Sequence, residues 1–282
     1  MQTRNLFLTI GAMGLMAVPS NAASLLIDFG TGGGNGVATG ADAQKSPGYL
    51  SHLGETYYNY GNAATLSGLK YGDGLTDATG VTVKIAAEST IGNNTINFAG
   101  TTGIDFSGLS GSAVTDPTSA YSGNSPAKQG TFRISSGSAN NSAMGASITG
   151  LAAGTYTIYM VGRNTNTGGS ATPANFYLST VSGGMPDNYL FSGTGNTTQQ
   201  TASATHTTAS LNGTSFTAGV THVEFTVTIG ANETILLATE GTGGEARGFI
   251  NSLEIVQVPE PSAALLSFGT LGLLAFRRRR SA

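Results

Sequence analysis

His222-Val223-Glu224-Phe225-Thr226-Val227-Thr228-Ile229 alternates along its whole length, with Val223, Phe225, Val227 and Ile229 on one side and His222, Glu224, Thr226 and Thr228 on the other. Successive side chains of a strand point to opposite faces, so this period of two predicts a β-strand with one buried and one wet face. On that pattern His222 reads as an outward, solvated residue. Working outward, Gly230-Ala231-Asn232 predicts a turn that folds Thr234–Thr239 back as a hairpin. Arg247–Val258 is the closing strand, with Phe249, Ile250, Leu253, Ile255 and Val256 as core candidates, and it runs straight into Pro259.

Upstream the same signal recurs in shorter pieces. Thr155–Val161 alternates Tyr156, Ile158 and Met160 against Thr157, Tyr159 and Val161, behind a tight turn at Gly150–Gly154. This stretch resembles a hairpin of secreted β-sandwich modules, including galactose-binding-like jelly rolls. Ser24–Phe29, Gly80–Ala86, Phe132–Ser135, Ala146–Leu151, Phe176–Thr180 and Tyr189–Phe191 are further strands. Asn93–Gln129 reads as long loops around one or two strands, and Asn196–Asn212, nearly devoid of apolar side chains, as an exposed strand or a loop. Glycine is 42 of 282 residues, about 15% against a usual ~7%. Charged residues are only 10%. Many short strands joined by turns fit that composition, and no repeat of 20–50 residues suggests a solenoid. The expectation is an all-β fold: a jelly-roll-like antiparallel β-sandwich, with a short C-terminal hydrophobic helix outside it.

The two ends read differently from the body. Arg4, the apolar run Leu6–Val18, Pro19 and the small residues Ser20-Asn21-Ala22 form a secretory signal peptide, with cleavage expected between Ala22 and Ala23. At the other end come Val258-Pro259-Glu260-Pro261, an uncharged apolar run from Ser262 to Phe276, and Arg277-Arg278-Arg279-Arg280. As a helix the run is about 15 residues or roughly 22 Å long, short of a ~30 Å hydrocarbon core. Arginine stems can snorkel and extend it, and the guanidinium groups stay cytoplasmic, leaving what precedes them outside. The domains are therefore 1–22 (signal peptide), 23–257 (sandwich body) and 258–282 (sorting and anchor segment).

That tripartite end resembles the PEP-CTERM sorting signal of bacterial exported proteins. The resemblance implies recognition by an exosortase, a membrane protease of transpeptidase type, with cutting near Pro259–Pro261. It also implies a Gram-negative-type envelope, transient membrane anchoring, and association with extracellular polysaccharide or biofilm matrix.

Several function classes recede on chemistry. Between Asp28 and Glu260 lie fifteen acidic and, without Arg4 and the terminal arginines, seven basic side chains, an unfavourable balance for nucleic acid. The absence of cysteine removes disulfides, zinc–thiolate sites and thiol nucleophiles. His52, His206 and His222 lack metal-ligand spacing, no G-x-S-x-G elbow occurs, and the glycine-rich stretch Gly30–Gly36 lacks the Gly-Lys-Ser/Thr ending of a phosphate loop. A glycosidase needs two carboxylates across a cleft, and Glu55, Glu88, Glu224 and Glu254 offer no spacing that selects a pair. Asp73 and Asp77 bracket a glycine loop that could hold calcium or simply satisfy its own backbone. Tyr49, Tyr57, Tyr58, Tyr60 and Tyr71 crowd one window, suited either to stacking on sugar rings or to the rim of a sandwich. The leading expectation is a non-catalytic surface or matrix protein needing no cofactor or metal. A carbohydrate-binding module using Tyr49, Tyr57, Tyr58 and Tyr60 is the alternative, and a polysaccharide-active enzyme the third.

Overall fold

The structure is a computed structural model. It describes residues 23–259, apart from 31–39, 43, 53–54, 101–102, 134–141, 167–168, 171–172, 193–196, 204–205 and 243–246. Met1 to Ala22, with the expected signal peptide, and Glu260 to Ala282, with Pro261, the apolar run and Arg277–Arg280, lie outside the described residues. Among the described residues no helix is long and apolar enough to cross a membrane.

Two sheets face each other. The first runs in the order β15 (Val223–Ile229), β9 (Gly154–Val161), β18 (Ser252–Gln257), β1 (Ser24–Phe29), β2 (Tyr58–Gly61). The second runs β13 (Thr198–Ala202), β11 (Ala174–Ser182), β16 (Glu233–Gly241), β8 (Ala143–Thr149), β4 (Thr82–Ala87), β3 (Thr65–Leu66). Smaller pieces cover them: β17 (Phe249–Ile250) with β7 (Gly130–Arg133) and β6 (Ile104–Leu109), β12 (Asn188–Leu190) with β5 (Thr95–Asn97), and β10 (Gly169–Ser170) with β14 (His206–Thr207). The fold is all-β and sandwich-like. Its ladders are antiparallel except β1–β2, which pair in parallel because β2 arrives by a long connection rather than a hairpin.

Alternation places the core. Leu25, Ile27, Phe29, Ile158, Met160, Phe225, Val227, Leu253 and Ile255 point from the first sheet toward Val83, Ile85, Ala146, Ile148, Phe176, Leu178, Ile235 and Leu237 of the second. Each large apolar side chain buried there contributes about 1.5–3 kcal/mol relative to exposure. The second sheet is also covered behind, where Ile96, Phe98, Tyr189 and Phe191 pack on Tyr177 and Leu236. At the free edge of β15, the Gln200 amide donates to the Glu224 carbonyl at 2.6 Å and accepts its N–H at 3.3 Å. That side chain occupies backbone groups another strand would otherwise pair with.

Three local expectations change. β15 and β16 form no hairpin: they lie in different sheets, so Gly230-Ala231-Asn232 carries the chain across the sandwich. The stretch Gly150–Gly154 likewise crosses, from β8 in the second sheet to β9 in the first. A turn signal reports reversal, while the sheet a strand joins is decided by which layer its apolar face covers. The closing strand breaks at Asn251, whose side-chain oxygen accepts the Arg163 backbone N–H at 2.6 Å, dividing β17 from β18.

Candidate functional site

The outward face of the first sheet is polar, and register defines its rows. Across one row lie Tyr58, Leu26, Glu254, Tyr159 and Glu224. In the next row Asp28 lies between Tyr60 and Ser252, and Ser252 is paired with Val161. A segment with a 3-10 turn at Tyr49–Ser51 covers the centre of this face.

Glu254 anchors the cover. Its side chain and that of His52 are both 0% exposed. Glu254 Oε2 accepts the Gly48 N–H at 2.8 Å and a long hydrogen bond from Ser46 Oγ at 3.4 Å, and meets His52 Nε2 at 3.2 Å. His52 Nδ1 faces the Glu55 carbonyl at 3.0 Å. Glycine is required at position 48, since a Cβ there would stand 2.5 Å from Glu254 Oε2 and 2.6 Å from the Tyr159 ring. Ser51 Oγ and Tyr159 OH share a 2.5 Å hydrogen bond, and the Tyr49 ring stands edge-on to His52. Burial pulls the His52 pKa down, but the hydrogen bond and charge of Glu254 outweigh it, and the net displacement is upward.

Around this pair sit polar groups without hydrogen-bond partners among the described residues: Asp28 Oδ1, Ser252 Oγ and Glu254 Oε1. Burial holds the Asp28 carboxyl well above its ordinary range. The Tyr58 hydroxyl is raised well above its own range by burial first, then by the charges of Glu254 and Asp28.

His222, expected to be solvated, is 2% exposed. Its row is outward, but the Phe216 and Tyr159 rings cover it, with centroids 6.2 Å away in each case. Its Nε2 lies 3.2 Å from Glu224 Oε1. Burial lowers its pKa, and the Glu224 hydrogen bond only partly offsets this. Arg163 is another buried polar residue whose role the sequence does not signal: it donates to Tyr121 OH at 3.0 Å and Ser210 Oγ at 2.8 Å.

Other sequence-level candidates separate. Tyr49, Tyr57, Tyr60 and Tyr71 keep partly exposed rings, whereas Tyr58 is 1% exposed and offers no face to a sugar. Asp73 Oδ1 accepts the Leu75 and Thr76 N–H groups, its Oδ2 accepts Thr76 Oγ1, and Asp77 pairs with Lys70. This is an Asp-headed turn satisfying its own backbone. Among the described residues no three His, Asp or Glu side chains gather as metal ligands. Of the four carboxylates weighed as an acid–base pair, Glu88 lies beyond β4 of the second sheet, Glu55 bonds Ser24 Oγ, Glu224 is exposed and Glu254 is sealed. Glu88 and Glu254, both buried, present no carboxylate to an open cleft.

At the ends, Ala23 offers its carbonyl to the Gln257 N–H at 3.1 Å, and the Val258 N–H reaches the Thr155 carbonyl at 2.8 Å. Val258 is 38% exposed and Pro259 is exposed. Ala22, Glu260 and Pro261 lie outside the described residues.

No protein-family model and no curated protein matches the chain. Among solved structures, TmCBM61 in complex with β-1,4-galactotriose aligns over 62% of this chain and 88% of its own, at 7% identity and a TM-score of 0.30. A superposition that loose says nothing of what this chain binds.

Proposed function

We propose that this protein is an exported, non-catalytic β-sandwich of the cell surface or extracellular matrix. Its N-terminal signal sends it out, its C-terminal tail anchors it for a time, and an exosortase trims it. The reading is supported above all by where the sandwich starts and stops. β1 begins at Ser24 and β18 ends at Gln257, and the two are neighbouring antiparallel strands with Ser24 opposite Val256. The expected signal cut falls one residue before β1, and Pro259 stands two residues after β18. Cutting at either point leaves every backbone ladder whole. With no cysteine to form a disulfide, the body folds on its core alone.

Two variants made in the native host test delivery: Pro259→Ala with Pro261→Ala, and glutamine at all four positions from Arg277 to Arg280. Retention of precursor in the first and loss of stable anchoring in the second are expected. Normal surface delivery and unchanged processing in both would refute the reading.

Exopolysaccharide binding is a second reading, favoured by the partly open rings of Tyr49 and Tyr57 beside Leu50 and Leu75, which are 80% and 85% exposed. Open aromatic faces are the surfaces on which sugar rings stack. Affinity electrophoresis in gels containing the host's polysaccharide should show retardation that Tyr57→Ala weakens. Equal mobility with and without polysaccharide would exclude it.

A further inference from the structure

We propose that His52 and Glu254 form a proton-dependent clasp. With its proton it holds residues 44–52 on the outward face of the first sheet; without it that cover lifts while the sandwich beneath stays folded. His52 Nδ1 faces a backbone carbonyl and Nε2 faces a carboxylate oxygen, at 3.0 and 3.2 Å. A neutral imidazole carries one N–H, and neither a carbonyl nor an ionised carboxylate can donate. The closed arrangement therefore holds one proton more than a neutral imidazole beside a carboxylate, whichever of the two carries it. Loss of that proton leaves a nitrogen lone pair facing an oxygen, Glu254 Oε2 in one tautomer and the Glu55 carbonyl in the other, and so removes one of the two hydrogen bonds in a buried site where electrostatic interactions are strong.

The surrounding groups do not supply a substitute. From β18 Glu254 meets the ring, and on the cover's side Tyr49 and the half-buried Glu55 face it. Beyond Glu254 stand Tyr58 of β2 and Asp28 of β1, while Tyr159 of β9 lies against Gly48 and His222 feels the Glu254 charge. None of these is a lysine or arginine able to replace the imidazolium. The cover's backbone bonds include local ones from Ser51 to Gly48, His52 to Tyr49 and Glu55 to His52, while Lys45 at its start is held separately, by Ser122 Oγ at 3.0 Å and Ser125 Oγ at 2.9 Å, and so marks the end about which the rest would lift. Segments of this kind open at lower free energy than core strands.

The sign follows from linkage. His52 has a raised pKa when closed, so the clasp is fully formed below the ordinary histidine value of about 6.5 and is lost as pH rises through the raised value. Across that window opening should increase by up to about tenfold per pH unit. The test is NMR of the full chain in mild detergent, following the histidine ring signals and amide exchange together. His52 should titrate above about 6.5 and His222 below it, with protection of residues 44–52 falling as His52 titrates and that of β9 and β18 steady. In Glu254→Gln the amide oxygen can still accept the Gly48 N–H and the Nε2–H of a neutral imidazole. The charge that favours the second ring proton is gone, so His52 should titrate lower than in the wild type and protection of 44–52 should no longer change across the wild-type window. A wild-type His52 midpoint at or below about 6.5, or protection of 44–52 that ignores it, would overturn the proposal. So would an unchanged pH profile in Glu254→Gln, and if that variant does not fold the wild-type titration decides alone.

Discussion

Glu88 takes three backbone N–H groups, those of Ala143 and Asn94 at 2.8 Å and of Gly92 at 3.3 Å. It is 1% exposed, and burial lifts its pKa against the pull of those donors. Truncation to alanine would strand the donors in the interior, at a cost of about 3 kcal/mol. The urea midpoint of Glu88→Ala should fall accordingly, and an unchanged midpoint would mean that water replaces the carboxylate. Asp28 is the opposite case. Its carboxyl is raised by burial, so the fold prefers the protonated form and ionisation above the ordinary carboxylate range is a loss the unfolded chain does not bear. Asp28→Asn should therefore raise the urea midpoint at neutral pH, with the gain disappearing by about pH 4. A gain that persists undiminished in acid would contradict that origin. Neither role is legible in the sequence. Glu88 closes a local loop and Glu254 meets His52 from 202 positions away, and no one-dimensional spacing separates such acceptors from solvated glutamates.

Among the elements, alternation in β15 and β9 is legible because each strand has one face against the opposite sheet, so its residues record burial directly. His222 escapes that logic: its row is outward, and what buries it is Phe216 from a loop. Connections are the other blind spot, since Gly150–Gly154 signals a turn whether the chain continues in its own sheet or crosses over. The crossing makes a particular demand. Gly150 has φ +81°, and a Cβ there would stand 2.0 Å from the Gly80 carbonyl oxygen, whereas Gly80, also at φ +81°, has open space beside it. Gly80→Ala should cost about 1–2 kcal/mol from conformation alone. Gly150→Ala should cost clearly more, because backbone must also move. Equal losses of thermal stability in the two variants would show that the strands separate there without strain.

At the scale of the molecule, first and last strands lie side by side in the middle of one sheet, so the folded body offers both chain ends at the same edge of the β1–β18 ladder. A polypeptide drawn out from its N-terminus and held at its C-terminus completes its central ladder only when Ser24–Asp28 meets Ser252–Val256. Pairing of strands so distant in sequence is slow to form, so the central ladder closes late in folding. The account therefore rests on two cuts that bracket the sandwich without entering it. Intact mass measurement of the protein recovered from its native host tests both at once. The account predicts a chain beginning at Ala23 and ending between Val258 and Pro261. A mass corresponding to Met1–Ala282, with neither end removed, would contradict it.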